Sequence, residues 1–364
     1  MKKTKIICSM GPACTDPDIF EKMVLNGANV ARINFSHATQ EEKEKVVSVV
    51  KEVRKRTGEN IGILYDTKGP EFRNGEMEPN TLLVEGKKIR IVKNEVLGNE
   101  DRFSVNHPQA LSNLKIGNNI LLENGLMSIV VKSIEEDGVT CTIVSGGTLG
   151  SKKSLSVPGV ELEIPFISKV DEEDIVYACH NDGDFLALSF VSNAQDVIDA
   201  KEILARESRS DMQIIAKIES MAGINNLDEI INVSDGIMVA RGDLGVEVPM
   251  TKLPIYQKMI AKRCREESKI CVVATEMLES MKTGLRPTRA EVSDVANAVL
   301  DGTDAVMLSG ETTMGKSPIQ TVAFMASIAR DTEDYYVPNF TYNAKMGITE
   351  GIANRYNILG YNKK

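Results

Sequence analysis

No apolar run in the sequence approaches the ~20 residues that a membrane-crossing helix needs, so nothing in it is expected to span a bilayer. The first apolar stretch, Ile6-Ile7-Cys8 behind Met1-Lys2-Lys3-Thr4-Lys5, is too short for the core of a secretory signal, and a cytoplasmic protein is expected. Positive charge is not in excess either. Lys and Arg number 43 against 52 Asp and Glu, a formal net of -9, which excludes bulk attraction to nucleic acid and leaves any anionic ligand to local basic groups. With three histidines, and six cysteines (Cys8, Cys14, Cys141, Cys179, Cys264, Cys271) that form no CxxC pair, a structural zinc site is not expected. The thiols read as free core fillers in a reducing compartment, and any metal should be a hard cation held by carboxylates.

What is present is an ordinary globular mixture, 42% hydrophobic and 26% charged, over 364 residues; that length suits two domains, or one large α/β barrel carrying an insertion. Short β-rich apolar runs recur at Thr4–Met10, Ala28–Phe35, Ile61–Tyr65, Phe185–Val191, Gln213–Ile218, Gly236–Ala240, Ile270–Ala274 and Ala305–Leu308. Between them lie segments of helical spacing such as Glu41–Arg56, Asp196–Ala205 and Arg289–Leu300, two with capping-box starts at Thr39/Glu42 and Thr288/Glu291. Eight strand–helix repeats with buried strands predict a parallel sheet closed into a (β/α)8 TIM barrel, an open doubly wound sheet being the competitor.

One stretch breaks the alternation. Residues 71–157 read as all-β, with short runs separated by glycine turns, and predict a small β-barrel lid domain inserted above the mouth of the barrel. The barrel itself is then expected over 1–70 and 158–335, and 336–364 as a polar tail too poor in apolar residues for a further domain.

The strand ends carry the chemistry. Side chains alternate along a strand, so Arg32, Asn34 and Ser36 share one face of Ala31–Ser36, and Lys217 and Glu219 share one face of Ile214–Glu219. Two more runs end in charge, Ile63–Tyr65 in Asp66-Thr67-Lys68 and Met238–Ala240 in Arg241-Gly242-Asp243. A buried unpaired charge costs several kcal/mol, so such groups persist at strand ends only if paired, wetted or used. A structural ion-pair network would account for one such strand; four of them at one predicted mouth point to a site. Glu219 and Asp243 are two carboxylates able to share a hard divalent ion, most simply Mg2+. Arg32 and Lys217 supply positive charge for a phosphoryl group or an enolate. Asn34, Ser36, Asp66 and Thr67 are oxygen donors fit for a monovalent cation, although Ser36 and Thr67 read equally well as turn residues.

Two glycine-rich stretches imitate phosphate loops. Gly310–Ser317 satisfies the Walker A pattern, but a P-loop fold needs several strands beyond it and Pro318 stands where its helix should be under way. Gly146–Lys153 lacks the spacing and reads as a basic hairpin tip on the insertion.

In order along the chain, Thr4-Lys5-Ile6 with Gly11-Pro12, Arg32–His37 (RINFSH), Asp66–Glu71 (DTKGPE), Lys217-Ile218-Glu219, Ala240–Gly245 (ARGDLG), Thr275–Met281 (TEMLESM), Pro287–Glu291 (PTRAE) and Asp301–Thr312 (DGTDAVMLSGET) resemble the pyruvate kinase family. The resemblance implies transfer of phosphate from phosphoenolpyruvate to ADP, giving pyruvate and ATP, with Mg2+ and K+. By motif it implies that Arg32 contacts the substrate phosphate and Lys217 the moving phosphoryl group and the enolate. Glu219 and Asp243 would hold Mg2+. The backbone of Gly242 and Asp243 with the Thr275 hydroxyl would receive the substrate carboxylate, and Thr275 lies where the family delivers a proton to the enolate carbon. Asn34, Ser36, Asp66 and Thr67 match the K+ site, Glu71 matches members that require K+, and Arg73 and Lys153, with Asn34 nearby, would meet the nucleotide.

The sequence departs from the family at Glu276, where Gln is usual, at Glu123-Asn124-Gly125-Leu126 of the lid, and at Ser192, where a basic residue is usual. Ile348–Ala353 resembles the opening of the family's C-terminal domain before the chain turns into 354–364, so sugar-phosphate control is not expected and a barrel flank is expected to be left uncovered. The expected partners are phosphoenolpyruvate and ADP/ATP, with no nucleic acid or membrane, and any pairing between copies would run through the barrel. A catalytically impaired remnant and a barrel lyase with a Mg2+-bound enolpyruvate intermediate are the alternative readings.

Overall fold

Eight of the apolar runs pair edge to edge, all parallel, in a computed structural model that describes residues 2–36, 38–160 and 162–336. The strands are β1 (Lys5–Ser9), β2 (Val30–Asn34), β3 (Gly62–Asp66), β4 (Phe185–Leu188), β5 (Gln213–Ile218), β6 (Gly236–Ala240), β7 (Ile270–Ala274) and β8 (Ala305–Leu308). Each hydrogen-bonds to its neighbours in sequence, and β1 closes the ring by pairing with both β2 and β8. The sheet is therefore a closed (β/α)8 barrel. Beyond Tyr336 the expected polar tail lies outside the described residues, as does His37. No helix among the described residues is long and apolar enough to cross a membrane.

Alternation along each strand sorts its side chains between two cores. Ile6 and Cys8 of β1 face outward into the layer shared with the helices, whereas Ile7 faces the barrel interior with Leu64, Ala187, Ile215, Met238, Val272 and Met307. The helices cover the outer layer with one apolar face each. Gln40–Thr57 buries Val46, Val47, Val50 and Val53, starts on the expected Thr39/Glu42 capping box and stops at Gly58, whose φ of 72° needs no Cβ. Arg289–Leu300 starts on the expected Thr288/Glu291 box, and Ser168/Asp171 and Asn193/Asp196 supply two more. The Walker-like segment is spent on structure. Gly310–Thr313 is one helical turn, the Thr312 hydroxyl donates to the Ser9 carbonyl at 2.7 Å, and a Cβ on Gly11 would lie 2.6 Å from that of Thr313.

Between β3 and β4 the chain forms a second sheet with a core of its own, built on Ile89, Ile91, Phe103, Ile120, Ile129, Val131, Val139 and Cys141. Its six strands run in the order Leu155–Ser156, Asn119–Leu122, Met127–Glu135, Gly138–Ser145, Lys88–Val92, Arg102–Ser104. Only the last pair is parallel, and a two-stranded ribbon, Leu82–Leu83 with Gly147–Thr148, stands beside the sheet. The returning segment stays with this core through Val160, Leu162 and Ile164, and crosses to the barrel's outer layer at Phe166 and Ile167. Pro165 sits at the switch, where its ring holds the chain extended.

Candidate active site

The inward faces of β2, β3, β4 and β5 begin apolar and end polar, and the polar ends meet at one rim. Val30 is followed two residues on by Arg32, Leu64 by Asp66, Ala187 by Ser189, and Ile215 by Lys217 and then Glu219. The register places β2, β3, β4 and β5 side by side, so these groups touch. Arg32 Nε lies 2.7 Å from Asp66 Oδ2, and its Nη1 donates to Ser9 Oγ at 2.7 Å. Lys217 Nζ reaches Asp66 Oδ1 and Glu219 Oε1, both at 3.1 Å, and donates to Ser189 Oγ at 2.6 Å. Glu219 Oε2 accepts from the backbone N–H of Phe190 at 2.6 Å.

This crowding sets the charge states. Burial opposes ionisation of Asp66, but Lys217 and Arg32 outweigh it and hold the carboxyl below its ordinary value. Burial alone would discharge Lys217; Asp66 and Glu219 overcome it and keep the ammonium charged. Glu219 ends the other way. Burial pushes its carboxyl up to about 7, Lys217 opposing and Asp243 and Asp66 adding. Asp243 is also raised, by burial first, with Glu71 and Asp66 reinforcing and Lys217 opposing. Glu276, one of the departures from the family, is exposed.

Asp243 stands in the first turn of the helix Arg241–Glu247, directly after β6, and makes no hydrogen bond or ion pair among the described residues. Two mutually repelling carboxylates, Glu219 buried and Asp243 half-buried, are what a divalent cation would relieve. No group of three His, Cys, Asp or Glu able to hold a metal gathers among the described residues. Beside them Gly242 N donates to Thr275 Oγ1 at 2.8 Å. Thr275 has a φ of 71° and Glu276 of 54°, left-handed values that cost a β-branched residue in particular. Arg241 holds this turn, donating from Nη2 to the Thr275 carbonyl at 2.6 Å and from Nε to the Ala274 carbonyl at 3.3 Å, while its Nη1 pairs with Asp294 at 2.7 Å.

Asn34 and Ser36 follow Arg32 at the same rim, with Asn34 Oδ1 accepting from Ser36 N at 3.1 Å. Thr67 Oγ1 accepts from Ser189 N at 3.1 Å. The inserted sheet closes the other side. Arg73 pairs with both oxygens of Glu71, at 2.7 and 2.8 Å, and Lys153 pairs with Glu123 at 2.6 Å. Glu123, Asn124 and Gly125 turn with three consecutive positive φ values, 48°, 55° and 82°. A cavity of about 1380 Å3 is lined by Arg32, Asn34, Ser36, Lys217, Glu219, Asp243 and Thr275 from the barrel and by Arg73 and Lys153 from the insert. Asp66 and Thr67 lie buried beneath its floor. Three contributors did not stand out in the sequence, namely Ser9, Ser189 and Arg241. The first two end strands on the same inward parity as Arg32 and Lys217, and that parity was the available signal.

The family model described as pyruvate kinase, barrel domain, matches residues 1–322. The chain is similar to proteins named pyruvate kinase from Geobacillus stearothermophilus, at 45% identity over 91% of this chain and 57% of that one, and from Staphylococcus haemolyticus, at 44% identity over 92% and 57%. A third, from Clostridium acetobutylicum, is 41% identical over 92% of this chain and 71% of its own. The chain thus spans little more than half the length of the first two relatives.

Proposed function

The chain belongs to the pyruvate kinase family, and from that membership and the geometry of the rim we propose that it transfers the phosphoryl group of phosphoenolpyruvate to ADP. The observation that carries the reading is Lys217, a buried ammonium kept charged by Asp66 and Glu219, facing the same cavity as Asp243. Arg32, anchored through Nε and Nη1, has Nη2 left for the substrate phosphate. As the phosphorus–oxygen bond of the enol phosphate breaks, negative charge passes to the enolate oxygen, and a fixed ammonium stabilises it without reorganising. The β-phosphate oxygen of ADP forms the new bond to phosphorus, and the enolate carbon then takes a proton to give pyruvate. Thr275 Oγ1, fixed by Gly242 N, bounds the pocket on the side where that proton would be delivered through water.

Mg2+ held between Glu219 and Asp243 would polarise the substrate oxygens and draw charge from the transferring phosphoryl group. Asn34, Ser36, Asp66 and Thr67 offer the oxygens for K+; since Asp66 already serves Arg32 and Lys217, the ion would share that carboxylate with them. The insert acts as the lid, with Arg73 and Lys153 offering cations to the nucleotide phosphates once they leave Glu71 and Glu123. Those two cations favour a kinase over a lyase, which has no nucleotide to grip. Coupled detection of pyruvate from phosphoenolpyruvate and ADP, with Mg2+ and with or without K+, tests the proposal; folded protein that yields no pyruvate refutes it.

A further inference from the structure

The inserted sheet hangs from two crossings, and a barrel carboxylate grips each. On the outgoing side Thr67 N donates to the Ala187 carbonyl at 3.0 Å and Gly69 N to Asp171 Oδ1 at 3.0 Å. Gly69 has a φ of 69° there, and a Cβ on it would come within 2.7 Å of the Ser189 carbonyl, so this crossing lies tight against the end of β4. The returning side is looser. From Val157 to Ile164 the segment packs on the insert's own core, and its Glu163 N–H donates to Asn113 of the insert. What ties it to the barrel is Glu247. Its Oε1 accepts from the Ser156 hydroxyl, at the end of the insert's last strand; burial raises its carboxyl above the ordinary value, with the Ser156 hydroxyl and the backbone amides of Gly159 and Met221 opposing and Asp243 adding. Ser156–Glu247 is the one side-chain hydrogen bond between the insert's strands and the barrel among the described residues.

Glu247 closes the seven-residue helix whose first turn carries Asp243, four residues earlier and so on the same helical face. Val246 beside it lies 3.8 Å from where a Cβ on Gly125 would be, bringing the Glu123–Leu126 turn of the insert against the same helix. The contact thus links the position of Asp243 to the position of the sheet that carries Arg73 and Lys153. We propose that Glu247 is a positioning residue: its hydrogen bond to Ser156 clasps the insert to the barrel and sets how far Arg73 and Lys153 stand from Asp243. The inference deepens the phosphotransferase reading and rests on it for its kinetic consequence, but not for its mechanical one.

The mechanical test uses the full chain with spin labels on two exposed positions, Glu136→Cys on the insert and Lys201→Cys on the barrel, the six native cysteines all being buried. Double electron–electron resonance then reads the distance between the two units. Ser156→Ala and Glu247→Ala should each lengthen or broaden that distribution, and the double variant should do so no further than Glu247→Ala alone, since that change already removes the bond. In pyruvate release, the apparent KM for ADP should rise about tenfold in each, as the loss of one hydrogen bond warrants, while that for phosphoenolpyruvate changes less than about twofold. Distances that stay put in both variants overturn the clasp, as does a double variant whose defect is the product of the two. If the unsubstituted chain makes no pyruvate, the phosphotransferase reading has failed and the distances alone decide the clasp.

Discussion

Lowering the pH from about 8 to about 6 should weaken Mg2+ binding about tenfold, because at the proposed site the metal and a proton would compete for Glu219. The carboxyl is 1% exposed and burial pushes it up to about 7, with Lys217 opposing and Asp243 adding. Above that value the group is ionised and affinity is flat. Below it, each unit of pH costs a factor of about ten, or about 1.4 kcal/mol. Asp243, raised in the same direction by burial, steepens the acid end. The metal-free protein should respond oppositely. Between the ordinary value of 4.5 and about 7, folded Glu219 holds a proton that the unfolded chain has released. Its contribution to stability is therefore complete below 4.5 and is lost as the pH rises through about 7. The rise in melting temperature on adding Mg2+ should accordingly grow from about pH 6 to about pH 8, and calorimetry near about pH 6 in two buffers should count about one proton released per ion bound. A melting shift as large at the acid pH as at the alkaline one would refute the reasoning. So would a Glu219→Gln variant that keeps the unsubstituted protein's pH dependence.

Lys217→Met removes the cation facing Asp66, Ser189 and Glu219, and should lower kcat by at least about a hundredfold in the pyruvate assay. It should also destabilise by about 3 kcal/mol, more at alkaline pH than at acid, because Glu219 can meet the loss by keeping its proton; melting curves at two pH values check this. Ser189→Val deletes the hydroxyl between Lys217 and Asp66 and should cost about 1–3 kcal/mol in denaturant melts with about a tenfold fall in kcat, while Ser189→Thr recovers most of both.

The barrel could be read from the sequence because its strands are buried on both faces. Runs such as Gly236–Ala240 and Ile270–Ala274 are apolar at every or nearly every position, and punctuation by capped helices fixed their bounds. The helix starts at Thr39 and Thr288 were legible for a local reason, since a capping box is complete within four residues. The path of the insert's returning segment was not legible. Val160, Leu162 and Ile164 alternate as a strand would, yet no strand forms there, and which core takes them depends on contacts distant in sequence. Arg241 was passed over for a similar reason. Next to Gly242 and Asp243 it reads as one more charge, and its use, holding the left-handed turn at Thr275, appears only when β6 and β7 lie side by side.

The same distinction explains why the charges at the rim stand out in the sequence while Ser9 and Ser189 do not. An Asp or Lys at the inward end of an apolar run is costly wherever the run goes, so it signals before the neighbours are known. A serine there is cheap and carries no such signal. Yet the charges depend on it. β3 and β5 are not adjacent; β4 runs between them, so the Lys217–Asp66 pair must cross a strand. It can do so because β4 presents Ala187 and then Ser189 on its inward face, small enough to pass over and, in Ser189, able to accept from Lys217 and donate to Asp66. A bulkier side chain at either position would part Lys217 from Asp66, the largest charge opposing the burial that pushes Lys217 toward its neutral form. The small side chain on the intervening strand is therefore what lets a closed, dry barrel keep an ammonium charged at its rim.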